Sequence, residues 1–175
     1  STESAMETYL DKNARFHPVI SELGLVVSQE AIASQGGADI LEAGGNAIDA
    51  AVATGFALAV TLPRAGNLGG GGFMMVYLAK ENKTIAIDYR EMAPLSADRD
   101  MFLDSKGDVD NAKARFSAQS SGVPGTVAGL LHALEEYGTL SISEVLKPAI
   151  KLASQGFIVN HDLADSLRFS SKRLY

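Results

Sequence analysis

Between Ala50 and Val60 the chain offers almost nothing but apolar side chains: Ala50, Ala51, Val52, Ala53, Phe56, Ala57, Leu58, Ala59 and Val60. A helix that is apolar on every side has to be packed on every side. Its many alanines let neighbours come close to the axis. It cannot be a membrane span: those take ~20 predominantly apolar residues, and even the longer stretch from Ala47 to Leu62 is interrupted by Asp49, Thr54, Gly55 and Thr61. It therefore predicts a buried helix inside a layered unit. Asn46 is suited to cap it, Asp49 three residues on suits the helix dipole, and Pro63 stops it.

After that helix comes Gly66-Asn-Leu-Gly-Gly-Gly-Gly72, then the unbroken apolar run Phe73 to Ala79. A strand without polar alternation is expected to be covered on both faces. Lys80 to Lys83 reads as a turn and Thr84 to Tyr89 as a returning strand, giving a hairpin within a layered sheet. Upstream, Gly24 to Ser28 reads as a short strand and Ser28 as the cap of a helix from Gln29 to the Gly44-Gly45 pair. Gly36-Gly37 weakens that helix but permits close packing against a neighbour. Downstream, a short helix is expected over Ala97–Phe102 and a polar loop over Asp104–Ala118. A helix is expected over Thr126–Tyr137, and another after the capping box Ser141-Ile-Ser-Glu144, with a kink or break near Pro148. Asn160 is suited to cap a last helix from His161. Residues 1–23 read as an arm, and residues 24–175 as the globular portion.

Charge narrows the function classes. Fifteen Lys and Arg against 21 Asp and Glu leave a formal charge of −6. A nucleic-acid binder needs a basic face, and so does an adaptor for anionic membranes. The absence of cysteine removes disulfides, thiolate metal sites and a Cys nucleophile. The chain opens on Ser1 without a charged-then-apolar leader, which fits either an artificial start or a removed signal peptide.

Few residues offer chemistry. The glycine run lacks the Gly-Lys-Ser/Thr ending of a phosphate loop, and a strand follows it where a nucleotide fingerprint needs a helix. His17, His132 and His161 lie in three different elements, none at zinc-ligand spacing. Asp98, Asp100, Asp104, Asp108 and Asp110 read as a solvated acidic loop without calcium-loop spacing. No metal or cofactor is expected. Arg90 closes the second hairpin strand. It can present a planar fork to a carboxylate, or pair internally with Asp88 or Glu91.

Four stretches taken in order carry more than any one alone. They are Asn-Ala-Ile-Asp-Ala-Ala-Val-Ala (46–53), Ala-Gly-Asn-Leu-Gly-Gly-Gly-Gly-Phe (65–73), Asp-Tyr-Arg-Glu-Met-Ala-Pro (88–94) and Gly-Val-Pro-Gly-Thr-Val-Ala-Gly (122–129). From about Gly24 to Asp165 the chain closely resembles the amino-terminal part of the large subunit of the gamma-glutamyltranspeptidase family. The resemblance implies a mixed α/β (α+β) fold, part of the αββα four-layer sandwich of N-terminal-nucleophile hydrolases. It implies a self-cleaving precursor whose small subunit carries a nucleophilic threonine. The implied substrates are glutathione or another gamma-glutamyl donor, and water, an amino acid or a peptide as acceptor. It also implies a periplasmic or secreted location. Arg90 stands in the family's Arg-Glu-x-Ala-Pro motif, where the arginine binds the alpha-carboxylate of the glutamyl group. No catalytic residue is expected in these residues, and neither Thr126 nor Thr139 stands in the nucleophile motif. Two other readings stay open: a related acylase acting on another amide, and a non-enzymatic remnant that only binds or packs.

Overall fold

The computed structural model describes residues 20–174. Its elements are α1 (Ala31–Glu42), α2 (Ala47–Thr61), β1 (Phe73–Leu78), β2 (Lys83–Asp88), α3 (Asn111–Phe116), a 3-10 turn (Ala118–Ser120), α4 (Thr126–Tyr137), α5 (Ile142–Gln155) and α6 (His161–Leu174). The antiparallel hairpin pairs Phe73 with Asp88 at its open end and Leu78 with Lys83 at the turn. Asn82 takes a left-handed φ of 49° in that turn, a conformation asparagine tolerates.

The predicted central helix is α2, and α1, α4 and α5 pack around it. Val52, Ala53, Phe56, Leu130, Ala133, Leu134, Val145 and Ala149 form the core. Gly36 meets Pro148 of α5, and Gly37 meets Thr54 and the Ala50 carbonyl of α2. Each glycine costs the helix about 1 kcal/mol of propensity, and here the missing side chains let three helices close on one another. Asn46 caps α2 in a reciprocal box with Asp49, and Ser141 does the same for α5 with Glu144. Asn160 accepts the Leu163 N–H at 2.8 Å.

Several expectations are corrected. Residues 24–28 form no strand: the sheet among the described residues is the β1–β2 hairpin, and they do not pair with it. Glu30, not Ser28, caps α1: its buried carboxylate accepts from Ile32 and Ala33, while the Ser28 hydroxyl donates to the Glu30 carbonyl at 2.8 Å. Residues 97–102 form no helix; turns span 99–102, and the Asp98 carboxylate takes the Asp100 N–H locally. Part of the expected loop is helix α3, capped by Asp110. Pro148 does not break α5; the carbonyl it leaves without a donor belongs to exposed Glu144 in the first turn.

The hairpin is covered on one face only among the described residues. Val76 is 3% exposed, whereas Phe73, Met75 and Tyr77 on the opposite face are 65%, 69% and 62% exposed. Likewise α2 keeps Ala51 exposed, beside an apolar cavity of about 640 Å³ that Leu25, Val26, Leu58, Met74 and Leu130 help to line. The layers expected on these surfaces are not formed by residues 20–174.

Candidate functional site

Arg90 follows the last residue of β2, Asp88, by two positions. Its side chain is exposed, and among the described residues it forms no ion pair with Asp88 or Glu91. The Asp88 carboxylate instead accepts the backbone N–H of Arg90 at 3.0 Å. Of the two roles open to Arg90, the internal ion pair is therefore absent.

The backbone around Arg90 is held from two sides. On one side lies the glycine run. Tyr89 donates to the Gly72 carbonyl at 3.0 Å, and Gly72 donates back at 3.4 Å. A Cβ on Gly71 would fall 2.6 Å from the Tyr89 oxygen and from the Glu91 nitrogen. On the other side lies the start of α4. A Cβ on Gly125 would strike the Tyr89 carbonyl, and one on Gly129 would strike the Tyr89 ring. Real Cβ atoms cannot be accommodated there without moving backbone or the Tyr89 side chain, so glycine is required by close approach. Just beyond, Met92 and Val123 exchange both backbone bonds, the shorter being 2.8 Å.

The two sides are themselves tied together. The Gly70 carbonyl accepts from Gly125 N–H at 2.8 Å and Thr126 N–H at 3.0 Å. Asn67 Oδ1 accepts from Gly70 N–H at 2.9 Å and from the Thr126 hydroxyl at 2.5 Å. Tyr89 anchors the strand end against the core side; burial pushes its phenol up, and its hydroxyl donates to the Phe73 carbonyl at 3.4 Å. An exposed guanidinium thus sits on a stem held from two sides, with no ion pair among the described residues. Such a group can hold a carboxylate bidentately.

The other candidates are not brought to this place. His132 is exposed on α4, His161 is exposed at the first position of α6, and His17 lies outside the described residues. Asp100 pairs with neighbouring Arg99 at 2.9 Å, Asp104 accepts from Lys106 and Asp108 N–H groups, and Asp110 caps α3. Among the described residues no three His, Asp or Glu side chains gather as a metal site. The threonines set aside as nucleophiles have other partners: Thr126 binds Asn67, and Thr139 donates its hydroxyl to Asp49 at 2.6 Å. Sequence reasoning missed the Asn67–Thr126 link, since the two are 59 residues apart and neither residue type announces a partner.

A family model described as Gamma-glutamyltranspeptidase matches residues 33–175. The chain is 58% identical over 153 residues to the glutathione hydrolase proenzyme of Escherichia coli (strain K12), a match covering 87% of this chain and 26% of the relative. It is 39% identical over 156 residues to the acylase ACY 1 proenzyme of Pseudomonas sp. (strain V22), covering 86% and 28%. The crystal structure of Helicobacter pylori gamma-glutamyltranspeptidase superposes with a TM-score of 0.85 at 46% identity, covering 89% of this chain and 45% of that one. The chain thus spans about a quarter of the length of the curated relatives it matches. Its mixed α/β topology is that of the solved structure.

Proposed function

Since this chain belongs to the gamma-glutamyltranspeptidase family, we propose that the whole protein cleaves the gamma-glutamyl amide of glutathione and related donors. In that reading a threonine oxygen on the small subunit of the same precursor attacks the amide carbon. The C–N bond breaks, the amine leaves with a proton, and a gamma-glutamyl ester remains. Water, or the amine of an amino acid or peptide, then attacks the ester and frees the threonine. Residues 1–175 supply Arg90 to hold the alpha-carboxylate of the donor, and the small subunit supplies the nucleophile. Gripping the end remote from the scissile amide orients that amide for attack. We place the protein in the periplasm or outside the cell on the family resemblance.

The observation that carries this reading is Arg90 itself: a guanidinium without a described acid partner, on a backbone clamped by glycines from two segments. The test is Arg90→Ala in the full-length protein. Losing a charge-assisted bond worth ~1.5–3 kcal/mol raises the donor KM by ~10–100-fold, with self-cleavage retained. Arg90→Lys recovers only part, because an ammonium lacks the fork. An unchanged KM removes Arg90 from the site.

A second reading is favoured by the 39% identity to a Pseudomonas acylase: the same fold acting on a different acyl amide. A panel of gamma-glutamyl and glutaryl amides separates the two. Both acyl groups carry the distal carboxylate, and only gamma-glutamyl carries the alpha-amino group. Faster turnover of gamma-glutamyl amides supports the first reading, and preference for glutaryl amides supports the second.

A further inference from the structure

We propose that Thr126 is a positioning residue for Arg90, acting through Asn67 and the glycine run; this rests on the reading of Arg90 as the carboxylate anchor. Thr126 is 6% exposed and stands at the first position of α4. That position usually takes its cap from a preceding side chain, but Gly125 has none, and no side chain caps α4. The first N–H groups of the helix go instead to the Gly70 carbonyl. The Thr126 hydroxyl is the side-chain bond across this junction, reaching Asn67 Oδ1, which also takes the Gly70 N–H. The oxygen of Asn67 therefore joins the helix start to the glycine run. Between the two lies the Tyr89–Glu91 segment, its backbone approached by Gly71 from one side and Gly125 from the other, and its Tyr89 ring by Gly72 and Gly129.

The physical consequence is specific. Four glycine contacts set where this backbone and the Tyr89 ring can lie, but glycine surfaces are compliant, because no side chain locks one face to the other. The hydroxyl supplies that lock. Without it, only the Gly70 carbonyl joins the helix start to the glycine run, and the Arg90 stem gains freedom that binding must then remove. A carboxylate fork is sensitive to this, since bidentate geometry fails with small displacements.

The test uses five full-length variants, Thr126→Val, Thr126→Ser, Thr126→Ala, Arg90→Ala and the double variant Thr126→Val/Arg90→Ala, with donor KM, kcat and self-cleavage measured for each. Valine keeps the shape and removes the donor. Thr126→Val is expected to raise the donor KM by ~10-fold, one lost neutral bond being worth ~1 kcal/mol or somewhat more, with kcat and self-cleavage near the parent's. Thr126→Ser restores KM toward the parent value. The double variant has the KM of Arg90→Ala alone, because a residue that acts through Arg90 has nothing left to act on. Independent, multiplying effects overturn the inference, and so does an unchanged KM in Thr126→Val while Arg90→Ala raises it. Loss of self-cleavage in both Thr126→Val and a second variant, Thr126→Ala, assigns the hydroxyl to folding in general and overturns it too. An unchanged KM in Arg90→Ala is the distinct failure of the underlying reading, and it takes this inference with it.

Discussion

Asp49 has no exposed surface, yet it is built to stay charged. Burial pushes its carboxyl up, but bonds from the Thr139 hydroxyl and from the N–H groups of Asn46, Thr139 and Leu140 outweigh this and hold it below the ordinary carboxylate range. The group thus caps its own helix and fastens the α4–α5 connection to it. Because its folded pKa is depressed, its contribution is present above the unfolded value of ~3.9 and is lost as pH falls through the folded value. Asp49→Asn keeps the size but turns an amide toward donors, costing about 2 kcal/mol. Denaturation midpoints of full-length protein measured from about pH 6 to about pH 3 are expected to fall more steeply for the parent than for Asp49→Asn. Parallel curves would take the carboxylate out of the acid response. The sequence placed Asp49 in the first turn, where its charge suits the helix dipole, but not its reciprocal bond to the Asn46 N–H. Nor did it place the bond to Thr139, which lies 90 residues away.

At the scale of elements, what matters is how closely they approach. A Cβ at Gly125 has only backbone to push against, namely the Tyr89 carbonyl. Gly125→Ala in the full-length protein is therefore expected to destabilise by ~1–3 kcal/mol, as overpacking does, and to raise the donor KM by displacing the Arg90 stem. Gly107→Ala is the contrast: it has a left-handed φ of 86° but open space around it, so it strains the loop and leaves KM unmoved. A thermal melt and donor kinetics on both variants check this; equal KM effects would sink it. Helix and hairpin identities followed from local pattern, because caps, proline stops and apolar runs act over a few residues. Two of the misreadings fell where short polar segments compete. Asp98 made turns over an expected helix, and Asp110 made a helix within an expected loop, since the same side chain can serve a turn or a cap.

For the whole molecule, the open face of the hairpin carries the argument. Phe73, Met75 and Tyr77 line up on one side of β1 with Ala86 and Thr84 opposite the last two, and the chain spans 45% of the solved relative it superposes on. An apolar strand face of that kind belongs against a second sheet in a layered fold. Met75→Lys in the full-length protein is expected to lower its thermal midpoint by several degrees, following a cost of ~2 kcal/mol or more for a buried unpaired charge. A midpoint unchanged from the parent would mean this face meets water.

The sequence by itself determined the central buried helix, the hairpin, the caps of α2 and α5, and the motif set that marks the family, because each is written in neighbouring residues. Only the tertiary structure decided that Asp49 reaches Thr139, that Thr126 reaches Asn67, and that Gly71, Gly72, Gly125 and Gly129, from two distant segments, close on Tyr89 to Glu91. Those contacts arise when the chain closes on itself. Their geometry depends on how near two backbones come, and no local spacing encodes that distance.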